Sequence, residues 1–254
     1  MHRVAALKSV LAPAKPAVES SLLLRTLSSS GKVVESTQKG HKDVTTKISA
    51  AHNQNVIWSD ALLTKEERQK LLKAKNKGAT LWFTGLSGCG KSTIAAALEY
   101  KLLQMGVNAY RLDGDNIRFG LNAGLGFSAE DREENLRRIS EVSALFADAG
   151  VIALTSFISP YRKSRERARE IHQKRGLPFY EVFAQVPLEV AEARDPKGLY
   201  KKARSGQLKN FTGISDPYEE PTNPDIVLPT HQLSVEQSCD KLIDVLRKAG
   251  VIHV

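Results

Sequence analysis

The densest chemistry in the sequence is the octapeptide Gly85-Leu86-Ser87-Gly88-Cys89-Gly90-Lys91-Ser92, which satisfies G-x-x-x-x-G-K-[ST]. Its glycines let the backbone wind tightly enough for successive N–H groups to face a phosphate, and a helix beginning at Lys91 adds partial positive charge there. Lys91 then reaches the β- and γ-phosphates, Ser92 offers its hydroxyl to Mg²⁺, and Thr93 follows in the same turn. ATP with Mg²⁺ is the co-substrate this implies. Cys89 stands where a small side chain is needed, so the expectation is a filler equivalent to Ala or Ser. The sharper alternative is a thiol made reactive by the helix N-terminus and Lys91, whose oxidation blocks nucleotide binding.

A second cluster is Asp113-Gly114-Asp115-Asn116. Two carboxylates two residues apart can serve Mg²⁺ and a substrate hydroxyl if a bend at Gly114 turns both toward one cleft; a polar turn is the plainer alternative. Asp113 is the candidate to orient or deprotonate the acceptor hydroxyl and to help place Mg²⁺ through water. Asp115 is expected on the acceptor side.

The elements needed to position these groups can be read from the flanking pattern. Strand-like runs occur at Thr80–Thr84, Asn108–Leu112, Val151–Phe157, Phe179–Ala184 and Asp225–Leu228, with helical stretches between them. The first run precedes the glycine-rich loop and Ile94–Leu103 follows it as a helix, the strand–loop–helix setting the phosphate chemistry requires. Alternation of this kind predicts an α/β three-layer sandwich with a mostly parallel five-stranded sheet. Ser128 with Asp131 predicts a helix N-terminus and Gly150 its end; Ser234 and Gly250 bracket the last helix likewise. A first helix is expected over Ser59–Lys77, with a capping box at Thr64 and Glu67, a stripe of Leu62, Leu63, Leu71 and Leu72 packed onto the domain, and Gly78 as its stop. Asp195–Glu220 is rich in Lys, Gly and Pro and predicts a basic, partly helical lid in which Arg194, Lys197 and Arg204 close over phosphates and exclude water.

The chain has 254 residues, 37 Lys+Arg against 28 Asp+Glu, and a formal charge of +9. Residues 1–50 hold eight Lys/Arg against three acids, so +5 lies there and +4 in the rest. Up to Gly31 the segment is basic, serine-rich and nearly free of acids, with Arg25-Thr26-Leu27-Ser28 resembling a processing site. It predicts a transit peptide and an organelle matrix, mitochondrial or plastid, or alternatively a disordered tail on a cytoplasmic protein. Residues 56–254 form the expected catalytic domain. Two distant cysteines do not make a disulfide framework, and no apolar run is long enough to span a bilayer. The modest charge of the folded part, without an RNA-binding motif, argues against a nucleic-acid partner.

Six blocks together resemble the adenylyl-sulfate kinase (APS kinase) family. They are the loop Gly85–Ser92, Asp113-Gly114-Asp115-Asn116-Ile117-Arg118, Gly126-Phe127-Ser128 with Asp131–Arg138, Phe157-Ile158-Ser159-Pro160-Tyr161-Arg162, Asp195–Tyr200, and Phe211-Thr212-Gly213-Ile214. The resemblance spans about residues 56–254 and implies a P-loop NTPase-type fold. It also implies transfer of the γ-phosphoryl of ATP to the 3′-hydroxyl of adenosine 5′-phosphosulfate (APS), yielding PAPS and ADP in sulfate assimilation. By resemblance Phe127 and Phe211 sandwich the acceptor adenine, and Asp115, Asn116, Arg118, Arg132, Asn135, Lys197 and the Ile158–Ser159 backbone hold the rest. Arg194 falls on the ATP side, and Ser159 is either a substrate contact or a phosphoserine intermediate. A homodimer is carried over, and because the sequence stops at Val254, ATP sulfurylase is expected on a separate chain. Phe119, Ser140 and Pro196 depart from the family pattern. Arg137, Arg138, Arg165, Arg167 and Arg169 read as solvated helix faces paired with nearby acids. Another small-molecule P-loop kinase, or a P-loop protein without turnover, are the competing readings.

Overall fold

The computed structural model describes residues 63–254; the expected transit segment and the start of the first helix lie outside the described residues. Five strands form: β1 (Ala79–Thr84), β2 (Ala109–Asp113), β3 (Ile152–Ser156), β4 (Phe179–Gln185) and β5 (Ile226–Pro229). They pair in the order β2-β3-β1-β4-β5, and every pair is parallel. Each strand lies within two residues of its predicted bounds.

Side chains alternate across β1, and both of its faces are covered. Ala79, Leu81 and Phe83 pack with Ile94, Leu98 and Leu102 of α2 (Lys91–Gln104) and Leu242 and Leu246 of α8 (Val235–Lys248). Trp82 points the other way, into Leu136 and Ile139 of α4 (Ala129–Asp148) and Ala168 of α5 (Arg162–Lys174). A parallel strand buried on both faces reads as a continuous apolar run, which Ala79–Thr84 does. The chain leaves β1 toward β2 on one side and returns across β1 between β3 and β4. The carboxyl ends of β1 and β3 therefore frame the crevice where the strand order reverses, the ligand position of open α/β sheets.

The predicted caps are present. Ser128 Oγ accepts from Asp131 N at 3.1 Å, and Ser234 and Gln237 form a reciprocal capping box. The short helices α3 (Gly114–Phe119), α6 (Leu188–Arg194) and α7 (Leu199–Arg204) complete the order.

The first helix departs from expectation. Its capping box at Thr64 and Glu67 forms, but α1 runs only Lys65–Leu71, and Lys73 in the left-handed region (φ 51°) ends it five residues before Gly78. It buries no residue, and Leu63, Leu71 and Leu72 face solvent. Polar contacts hold it instead: Lys65 Nζ donates to the carbonyls of Arg175 (2.7 Å) and Gly176 (3.1 Å), and Arg68 Nη1 donates to the Asp148 carbonyl and carboxylate. The capping signal is local and survived, whereas Leu63, Leu71 and Leu72 found no surface to cover; Leu62 lies outside the described residues.

Candidate active site

The loop between β1 and α2 takes the path its glycines permit. Gly85 (φ 143°) and Gly90 (φ 95°) adopt conformations that a side chain strains, and a Cβ at Gly85 would stand 2.6 Å from the Ala184 carbonyl oxygen. Lys91 is buried, and its Nζ donates to the carbonyls of Gly85 (2.9 Å) and Leu86 (2.8 Å). The first turn of α2 holds no acid, so nothing on the helix competes with an anion at its N-terminus. Tyr200 of α7 donates its hydroxyl to the Ser87 carbonyl at 3.0 Å, fastening the lid helix to the loop; burial pushes this phenol up to about 12. Cys89 is fully buried between Ala184, Ala191, Tyr200 and Phe211, the surroundings of a filler.

Two hydroxyls meet beside the loop, and Asp113 neighbours one of them in the strand register. Ser92 and Ser156 hydroxyls are 3.0 Å apart, and the strand register sets Asp113 beside Ser156. This donor set suits Mg²⁺, a hard cation that takes few protein ligands and completes its shell with phosphate oxygens and water. The described residues hold no cluster of three His, Cys, Asp or Glu that would make an all-protein metal cage.

Asp113 and Asp115 do not turn together into the cleft. Asp113 caps α3: its Oδ1 accepts from Asp115 N at 3.1 Å and its Oδ2 pairs with Arg111 Nη1 at 2.8 Å. Asp115 is exposed one residue into that helix and pairs with Lys197 from the lid. The bend expected at Gly114 is a helix start, which carries the second carboxylate away from the first. Asn116 and Thr93 are exposed at the starts of α3 and α2.

Arg132 binds the two segments expected to grip the acceptor. Its Nε donates to the Phe127 carbonyl (2.9 Å), its Nη1 to Thr212 Oγ1 (3.0 Å) and its Nη2 to the Asn210 carbonyl, and Asp216 lies 3.6 Å away. Phe127 is 64% exposed, with the Arg118 guanidinium 4.4 Å from its ring centroid. Arg118 Nη1 also donates to the carbonyls of Leu125 and Gly126; burial and then Arg132 lower its pKa. Phe211 is only 7% exposed and meets Tyr200 edge-on at 5.0 Å, so it stands as a wall of the core rather than as a free stacking face. Asn135 is buried, its Oδ1 accepting from Asn122 Nδ2 at 2.9 Å. Ile158 offers its carbonyl to Thr84 Oγ1 (2.7 Å) and Gly85 N, and Ser159 is buried with its Oγ accepting from Trp82 Nε1 at 3.1 Å. On the lid, Arg194 Nη2 donates to the Thr230 carbonyl, and Arg204 forks onto Glu192, which removes it from the group facing phosphates.

The expectation of solvated arginines holds for Arg137 and Arg138, both on Glu134, and for Arg167 near Glu133. It fails for Arg165, which is buried against Glu181, and for Arg169, which bridges Glu181 and Asp225 over the Phe179 ring. Spacing carried the missing signal: Arg165, Ala168 and His172 recur at i, i+3 and i+7, one face of α5, and all three are buried.

A parallel sheet with a phosphate loop at its reversal point, a cation-lined wall and a basic lid defines a P-loop phosphotransferase. The family model described as adenylylsulphate kinase matches residues 77–229. An adenylyl-sulfate kinase of Saccharomyces cerevisiae is 59% identical over 199 residues, covering 78% of this chain and 97% of the relative. The solved Mycobacterium tuberculosis APS kinase, in complex with AMPPNP and APS, is 52% identical with TM-score 0.66, covering 68% of this chain and 99% of that one. A hexameric APS kinase from Thiobacillus denitrificans is 29% identical with TM-score 0.54, covering 70% of this chain and 30% of that one. The chain belongs to the adenylylsulphate kinase family.

Proposed function

We propose that the chain transfers the γ-phosphoryl group of ATP to the 3′-hydroxyl of APS, giving PAPS and ADP in sulfate activation. The observation that carries this reading is the Arg132 bridge, which joins the Phe127 and Phe211 segments into one basic and aromatic wall beside the phosphate loop. Such a wall fits an acceptor that is both anionic and aromatic.

On the donor side, the loop amides and Lys91 take the β- and γ-phosphates, and Gly85, Gly88 and Gly90 leave room for them. Arg194, placed on the same side by the resemblance, is held by its bond to the Thr230 carbonyl. Ser92 and Asp113 are the residues that would hold Mg²⁺, which when bound would supply charge neutralisation for the transferring group. On the acceptor side, Arg118 and Arg132 meet the phosphosulfate, Phe127 covers the adenine, and Lys197 with Asp115 joins the lid to α3. Direct in-line transfer needs no covalent step. Ser159 is read as a contact at the strand end, its hydroxyl already held by the Trp82 indole.

Incubation with ATP, Mg²⁺ and APS should yield a 3′-phosphorylated product and ADP, and chelation of Mg²⁺ should abolish it. ADP formation with a different acceptor and none with APS would transfer the assignment to another small-molecule kinase. We also propose entry into an organelle matrix, supported by the composition of residues 1–50. A reporter fused to that segment tests it, and a diffuse cytosolic signal would refute it. A homodimer is the proposed assembly, to be tested by sedimentation; one solved relative is hexameric.

A further inference from the structure

Arg165 is a buried cation for which the donor and acceptor assignments have no use. It is 2% exposed in the first turn of α5, and a guanidinium is tolerated inside a protein only where its charge and its donors are met. Three partners meet it, each at 2.6 Å: Nε donates to Glu181 Oε1, Nη1 to the Ser159 carbonyl and Nη2 to the Glu219 carbonyl. They lie on β4, on the turn after β3, and on the segment that closes the lid. Two of the three are main-chain groups, so the fork fixes the path of the backbone.

Both backbone partners are places where the path matters. Ser159 sits at φ 40°, a left-handed conformation that a serine keeps only when its surroundings over-determine it. Those surroundings are Arg165 and Thr84 Oγ1 on its carbonyl and Trp82 Nε1 on its hydroxyl. At the other end, Glu219 N donates to the Pro160 carbonyl (2.9 Å), Glu219 Oε2 accepts from Arg162 N (2.8 Å), and Arg162 Nε donates to the Glu220 carbonyl (2.8 Å). Tyr218 closes the ring: its hydroxyl lies 2.9 Å from Thr84 Oγ1, and its own ring centroid is 5.9 Å from the Arg165 guanidinium. Thr84 is the last residue before the phosphate loop.

We propose that Arg165 is a positioning residue for the acceptor. It holds the Ser159 bend and the 218–220 segment in one register, so that the wall carrying Phe211 and Asp216 keeps a fixed relation to the phosphate loop. This deepens the kinase reading and rests on it.

Arg165→Lys separates positioning from simple support. Lysine keeps a positive charge opposite Glu181, but a compact ammonium cannot reproduce the planar fork that serves Ser159 and Glu219 together. The KM for APS should rise about tenfold while ATP affinity, measured by direct titration, stays within about twofold. Tyr218→Phe removes only the hydroxyl that reaches Thr84 and should shift the KM for APS in the same direction by a smaller factor. It decides the matter if Arg165→Lys does not fold, an unchanged KM for APS then overturning the proposal. Equal weakening of ATP and APS, or a lowered melting temperature with both constants unchanged, would also overturn it. Failure of the kinase reading itself looks different, because the unaltered chain would then form no 3′-phosphorylated product from APS.

Discussion

Both carboxylate oxygens of Asp113 are already accepting, one from the Asp115 amide and one from Arg111. Of the two roles the sequence leaves open for Asp113, orientation of water, metal and acceptor fits this geometry better than proton abstraction. Asp113→Asn separates the cap from the charge, since Asn caps a helix as well as Asp does. The expected outcome is a kcat lower by about 100-fold or more with ATP affinity within a few-fold of the parent, read from steady-state rates and equilibrium titration. Cys89 gives the opposite kind of prediction. A thiol with no exposed surface, packed among Ala184, Tyr200 and Phe211, reacts slowly with oxidants however close Lys91 lies. Cys89→Ala should lose about 1 kcal/mol of stability, the scale of one buried methylene-sized group, and should inactivate in peroxide at the parent's rate. Faster loss of activity in the parent would restore the redox reading.

Elements were legible where their signal is local. The strand–loop–helix around Gly85–Ser92 and the caps at Ser128 and Ser234 depend on neighbours within a few residues, and the structure reproduces them. Which surface meets which depends on distant residues, and there the sequence is ambiguous. Leu63, Leu71 and Leu72 around α1 look like a buried stripe and are not, while Arg165 and Arg169 of α5 look solvated and are not. Gly78 shows the same limit from the other side. It reads as a helix stop, yet α1 has ended well before it, and its need for no side chain comes from α4. A Cβ there would lie 2.0 Å from the Ala147 carbonyl oxygen, on the rigid end of a 20-residue helix. Because neither β1 nor α4 can withdraw without disturbing the central layer, Gly78→Ala should cost about 3 kcal/mol in chemical denaturation. The phosphate loop is remote from this contact, so folded Gly78→Ala protein should keep the parent's KM for ATP.

At the scale of the molecule, the net charge of +9 divides into +5 over residues 1–50 and +4 over the remaining 204, and among the latter the cations at the site are few and placed. The residue types of the proposed acceptor wall, Arg118, Phe127, Arg132 and Phe211, could be read from the sequence. Their states could not: Phe211 is buried against Tyr200, which comes from α7, whereas Phe127 stays 64% exposed beneath the Arg118 guanidinium. The same kind of long-range contact makes overall stability sensitive to pH through His172. This ring is fully buried between β1 and α5, with Nδ1 2.8 Å from the Ala168 carbonyl and Nε2 2.8 Å from Thr80 Oγ1. A carbonyl can only accept, so Nδ1 carries the proton and Nε2 accepts from Thr80, which leaves the neutral imidazole satisfied. Burial is the main force lowering its pKa below 6.5; Arg175 acts in the same direction, while the Ala168 bond and Glu141 oppose them. The unfolded chain therefore takes up this proton near pH 6.5 and the folded chain only at lower pH. This contribution is fully present above pH 6.5 and declines as pH falls, by at most about 1.4 kcal/mol per pH unit, until the folded group titrates. Glu134, held at about 2 by Arg137 and Arg138, gives its own dependence only between pH 4.5 and 2 and leaves this window clear. Denaturation midpoints measured from pH 7.5 to 5.5 should thus fall in the parent, and His172→Gln should flatten that slope whatever its effect at pH 7.5. An unchanged slope in the variant would remove His172 as the source.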